Sequence, residues 1–153
     1  MDATCIVAAN AGRARFFLRA RPDVRLQEIN DMVNTPARLR TAETETDSLG
    51  QRAASKSIHS VGQPTQPSGY QPNQTPAEHQ TELFARSVAD ELLQMQQQGR
   101  FGKLVLIASP EFLGVLRKLL DPKLLAAISL EINKDYTQSS VDRLPGQIEA
   151  HRP

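Results

Sequence analysis

The sequence predicts an α/β fold: one mixed five-stranded sheet, an antiparallel three-strand meander followed by alternating helices and strands, with helices on both faces. Three observations carry it. The first third holds β-prone segments spaced too closely for anything but antiparallel hairpins. After residue 75 the apolar period becomes helical, interrupted by short apolar runs. Between the two lies a polar segment, roughly residues 35–75, with neither period.

Residues 4–9 (TCIVAA) are a continuous apolar run, the pattern of a strand covered on both faces. Asn10, Ala11 and Gly12 supply a turn. Residues 13–20 (RARFFLRA) are β-prone through Phe16 and Phe17. Arg21, Pro22 and Asp23 make a second turn, with proline pre-setting its dihedral. Residues 25–33 (RLQEINDMV) form a third strand whose alternation slips near Glu28 and Ile29, which predicts a bulge or an early end.

Thr75-Pro76-Ala77-Glu78 is a capping box with proline at the first helical position. It predicts a long helix over 76–98, whose inner face is Phe84, Val88, Leu92 and Met95 and whose end is Gly99. Residues 103–108 (KLVLIA) repeat the doubly covered strand pattern. Ser109 and Pro110 open a second helix with Phe112, Leu113, Leu116, Leu119 and Leu120 inward, and Arg117 and Lys118 in its last turn favour the helix dipole. Asp121-Pro122 begins another helical turn, and residues 127–133 alternate as a half-exposed strand. The tail from Ser139 to Ala150 begins helically and is expected to fray at Pro145 and Gly146. A helix between successive strands implies right-handed crossovers and parallel pairing.

The 153 residues form a single domain, with 35–75 as a long, flexible polar insertion between the third strand and the long helix. Its large apolar side chains are Leu39, Leu49, Ile58, Val61 and Tyr70, too few to offset the entropy of ordering so much backbone. Eighteen basic against 17 acidic residues leave no bulk electrostatic footprint for nucleic acid or an anionic membrane. The single cysteine, Cys5, cannot form an internal disulfide, so a reducing cytoplasm is the expected compartment. No leader or spanning segment is evident, and no membrane insertion is expected.

Four ordered blocks carry a resemblance. Residues 9–16 (ANAGRARF) form the first hairpin, Thr75 to His79 with Phe84-Ala85 the long helix, Leu104 to Arg117 (LVLIASPEFLGVLR) the most specific block, and Glu131 to Thr137 (EINKDYT) the last. Together they resemble the bacterial host attachment family, whose members carry the name "protein required for attachment to host cells". That family is similar in fold to the middle domain of archaeal and eukaryotic class-1 peptide release factors, of ribonuclease-H-like topology. The resemblance implies a release-factor-like shape and a translation-related ancestry. In the release-factor domain the corresponding loop carries Gly-Gly-Gln at the peptidyl-transferase centre. Here the loop holds Gly50-Gln51 and Gly62-Gln63, preceded by Leu49 and Val61 where the relative has glycine.

The two Gly-Gln pairs are the loop-tip candidates. A functional tip would position water for ester cleavage, whereas a loop this rich in glutamine supplies such pairs by composition alone. β-Branched Val61 also disfavours the positive φ that glycine allows. Histidines 59, 79 and 151 share no ligand spacing with Cys5, so no metal and no cofactor are expected. Cys5 in an apolar strand reads as core, the opposite of a reactive thiol's setting. A ribonuclease-H-like nuclease needs converging carboxylates; the first strand has none between Asp2 and Asn10, and Asp135 reads as a cap for the turn at Thr137. Arg13 and Arg15 alternate onto one strand face, and Arg38, Arg40, Arg52 and Lys56 populate the loop; these are the candidates for RNA phosphate contact, against Glu43, Glu45 and Asp47 in the same loop.

The reading is therefore a non-enzymatic, cytoplasmic binding module with a ribosome or RNA as partner. Its alternatives are an interaction protein that supports attachment without ribosome contact, and a peptidyl-tRNA hydrolase-like factor using a degenerate Gly-Gln loop.

Overall fold

The computed structural model describes residues 3–37 and 74–153. Five strands, β1 (Thr4–Asn10), β2 (Arg13–Arg19), β3 (Gln27–Val33), β4 (Lys103–Ala108) and β5 (Ile128–Ile132), form one sheet in the order β3-β2-β1-β4-β5. The β1–β2 and β2–β3 pairings are antiparallel, and β1–β4 and β4–β5 are parallel. Each expected strand is present, with ends within two residues of expectation. The irregularity expected in β3 is a bulge: Phe16 pairs with Asn30 and Phe17 with Glu28, leaving Ile29 as the extra residue.

Helix α1 (Pro76–Gln97) starts at the capping box, with Thr75 Oγ1 accepting from Glu78 N at 3.1 Å and Glu78 Oε1 accepting from Thr75 N at 2.8 Å. It stops where Gly99 takes φ +72° and Arg100 N bonds back to Met95 O at 3.1 Å. Helix α2 (Pro110–Leu119) departs from expectation at its start. Ser109 stands at the N-cap, but its hydroxyl makes no capping bond. The chain is held there by Ser109 N donating to Ala9 O at 3.2 Å, which ties the end of β4 to β1. Helix α3 (Pro122–Ala127) is capped by Asp121, which accepts from Lys123 N at 2.8 Å.

Strand alternation sends side chains to two cores. On one face Cys5, Val7, Ala14, Phe16, Leu104 and Leu106 pack beneath α1, α2 and α3, which contribute Phe84, Val88, Leu92, Met95, Phe112, Leu116 and Leu124. The Phe84 and Phe112 rings, 5.9 Å apart and tilted, join α1 to α2. On the other face Ile6, Ala8, Phe17, Val105, Ile107 and Ile132 are closed by Leu144 and Ile148 of a last helix, α4 (Leu144–Glu149).

That helix corrects the expectation of a fraying tail. Leu144 and Ile148 are 0% and 1% exposed. Four residues apart, they share one helical face, and their burial outweighs the poor propensities of Pro145 and Gly146. Pro145 falls in the first turn, where its missing N–H is harmless. Residues 35–37 are helical, while the remainder of the polar insertion expected at 35–75, apart from Gln74 and Thr75, lies outside the described residues.

Leu144→Ala is expected to destabilise the fold by about 2–5 kcal/mol, as full-length core truncations do, read from the urea unfolding midpoint. A loss under about 0.5 kcal/mol would mean that α4 is not part of the cooperative unit.

Candidate functional site

Parallel strands β1, β4 and β5 end on the same edge of the sheet, the edge where open α/β sheets bind ligands. Two features occupy it, one closed and one open.

The closed feature begins at Asn10, the last residue of β1. Its Oδ1 accepts from Gly12 N at 2.8 Å and fixes the turn that the sequence placed there. Its Nδ2 donates to Asp135 Oδ2 at 2.9 Å and to Thr137 Oγ1 at 3.3 Å, across 125 residues of chain in the first case. Asp135 Oδ1 also accepts from Thr137 N at 3.0 Å and Thr137 Oγ1 at 2.7 Å, the turn cap expected of it. Burial pushes the Asp135 carboxyl pKa up, but the bonds from Asn10 and Thr137 outweigh it, so the group sits below its ordinary value of 3.8. From the other side, Asn34 Nδ2 donates to Ala11 O at 2.9 Å and Asn34 N to Gly12 O at 2.9 Å.

Arg15 extends the same network. Its guanidinium forks onto Glu28, Nε to Oε2 at 3.0 Å and Nη2 to Oε1 at 2.8 Å. Nη1 donates to the carbonyls of Thr137 at 3.0 Å and Ser139 at 2.6 Å. The group also lies over the Phe17 ring, 5.1 Å from its centre. The side chain is only 9% exposed. Arg13 is held by Asp31 through Nε at 2.9 Å and Nη2 at 2.7 Å, which raises its pKa further. Both strand arginines expected to face RNA phosphate are thus engaged within the fold. The sequence showed their shared face but not their partners, because Asp31 and Glu28 are set opposite them by strand pairing and the Thr137 and Ser139 carbonyls belong to a turn more than a hundred residues away.

The remaining candidates, Arg38, Arg40, Arg52, Lys56, Gly50, Gln51, Gly62 and Gln63, lie outside the described residues, as does His59. His79 is exposed, with Nδ1 3.4 Å from Gln74 Oε1, and His151 Nε2 lies 3.0 Å from the Tyr136 hydroxyl. Cys5 is fully buried, and burial pushes its thiol up to about 12, so it behaves as a core residue. Among the described residues no three His, Cys, Asp or Glu side chains are grouped to hold a metal ion, and no helix is long and apolar enough to cross a membrane.

The open feature is a groove of about 700 Å³ between the N-terminal half of α1 and the length of α2. Ala77 and Thr81 on α1 are small enough to leave a trough, and Phe112, Val115 and Leu119 on α2 give it an apolar floor. Ala11 and Ser109, which follow β1 and β4, close one end. Glu78, Glu82 and Glu111 and the Lys118 ammonium line it as well. Hydrogen bonds from Gln74, and then from Arg86 at 2.9 Å, hold the Glu82 carboxyl below the usual range. Leu119, read as inner face from its spacing, is half-buried at this floor. Sequence reasoning missed the groove because a trough is made by what α1 lacks opposite α2, and that depends on how the helices pack.

The family model described as "Protein required for attachment to host cells" matches residues 5–148. That span takes in both the Asn10–Asp135 bridge and the groove. No curated protein matches the chain.

Asp135 yields a pH prediction. A carboxyl with a lowered folded pKa contributes stability above its unfolded value, near 3.8, and loses it as pH falls through the folded value. Asp135→Asn is therefore expected to lower the urea midpoint at neutral pH, with the gap to the wild type narrowing as pH falls below 3.8 and through the lowered folded value. A gap constant with pH, read by far-ultraviolet circular dichroism, would show that the carboxylate charge contributes nothing.

Proposed function

The chain belongs to the family of proteins required for attachment to host cells, and on that premise we propose that it acts as a non-enzymatic binding module that engages a partner through the α1–α2 groove. The groove is the observation that carries this reading. It has the volume of a ligand cleft, an apolar floor with a few polar groups, and a position at the carboxyl ends of β1 and β4. By contrast, the polar groups of the Asn10–Asp135–Arg15 network are spent on one another and hold the fold. The nearly balanced charge and the lone, buried cysteine support action in the cytoplasm, where the protein regulates attachment rather than adhering to the host itself.

The mixed sheet with helices on both faces supports a second reading, kinship with the ribonuclease-H-like middle domain of release factors. In that reading the protein occupies a ribosome or RNA without hydrolysing peptidyl-tRNA. With Arg13 and Arg15 engaged internally, phosphate contact falls to Arg38, Arg40, Arg52 and Lys56.

Thr81→Trp, which fills the trough from α1, tests the first reading. Cells carrying only this variant are expected to attach to host cells as poorly as cells lacking the protein, while the purified variant unfolds at the wild-type temperature. Attachment at the wild-type level would overturn the groove reading. For the second reading, the protein is expected to cosediment with ribosomes and to release no labelled peptide from stalled ones at saturation. Release abolished by Gln51→Ala or Gln63→Ala would establish an enzyme instead.

A further inference from the structure

The lining charges of the groove are unevenly placed. Glu78 and Glu111 stand at one end, in the first turns of α1 and α2, and Lys118 stands at the other, in the last turn of α2. Glu82 is answered by Arg86, whereas among the described residues Glu78 accepts from the neutral Thr75 amide and no side-chain cation is paired with Glu111. The two helix N-termini offset these charges by about half a unit each, which still leaves that end acidic. Between the ends run Val115 and Leu119, four residues apart on α2 and half-buried, opposite the small Ala77 and Thr81.

Resting on the binding-module reading, we propose that the occupant of the groove is a short amphipathic helix of a partner protein with basic residues in its first turn. The apolar face of such a helix, repeating every three or four residues, matches the Val115–Leu119 floor. Its basic N-terminal turn, with the positive end of its own dipole, lies over Glu78 and Glu111. Its C-terminal end, where carbonyls leave partial negative charge, lies at Lys118. The occupant thus runs parallel to α2. An acidic helix would meet like charge at Glu78 and Glu111, so the rim selects sign while the floor supplies affinity.

The probe is a fluorescein-labelled helical peptide of about 14 residues, with leucines at helical spacing and lysines in the first turn, titrated against the full-length protein. Saturable binding is expected, weakened at least fivefold by Glu111→Lys and lost with Val115→Asp. Glu111 is exposed, so its reversal keeps the test valid even where Val115→Asp fails to fold. A control peptide with glutamates in place of the lysines is expected to bind at least tenfold more weakly. Absence of binding, equal binding of the two peptides, or binding unchanged by Glu111→Lys overturns the proposal. If that occurs while Thr81→Trp still abolishes attachment, the groove remains the site and its occupant has other chemistry; if Thr81→Trp leaves attachment intact, the groove reading itself falls.

Discussion

Burial of β1 on both faces is the constraint from which the rest of the structure follows. Cys5 to Ala9 are all within 1% of complete burial, and a strand in that state needs a hydrogen-bonded neighbour on each edge and an apolar layer on each face. The edges are met by β2 and β4, antiparallel and parallel respectively. One face is met by α1, α2 and α3, the other by α4. The parallel partner also explains why β4 arrives only after α1: parallel neighbours cannot be joined by a tight turn.

Covering the second face sets the course of the chain after β5. To bring Leu144 and Ile148 over Ile6, Phe17 and Val105, residues 133–143 must travel back from one edge of the sheet towards β2. A connection of that kind has few backbone partners of its own, and side chains supply them. Asn10 and Asp135 hold its start, Arg15 takes the Thr137 and Ser139 carbonyls, and Arg25 meets Asp142 at 2.8 Å on the surface. Arg15 suits this position because one planar group can fork onto a carboxylate while its other nitrogen serves two carbonyls. A lysine has no such geometry.

The carboxyl edge of the sheet therefore divides into two environments of opposite character. Around Asn10 the donors and acceptors face one another and the polar groups are satisfied, which favours rigidity. Between α1 and α2 the facing residues include small ones on one helix and apolar ones on the other, so space is left among the described residues. The two share the turn after β1: Ala11 lines the groove, and its carbonyl is held by Asn34. The groove is thereby mounted on a hydrogen-bonded turn, the setting in which a binding surface loses little entropy when it is occupied.

Local signals determined much of this protein without reference to its tertiary structure. The capping box at Thr75 and Glu78, the left-handed stop at Gly99, the continuous apolar runs of β1 and β4 and the slip near Ile29 each act over a few residues, and each was legible in the sequence with the right physical meaning. The roles of Arg13, Arg15 and Asn10 were not, since their partners are brought to them by strand pairing and by a chain that returns from β5. Propensity also misjudged α4, where Pro145 and Gly146 argue locally against a helix that burial of Leu144 and Ile148 imposes. The groove belongs wholly to the second category: Ala77 and Thr81 read as ordinary helix positions until α2 lies opposite them. Sequence periodicity says which face of an element is apolar; only packing decides which part of that face is left open.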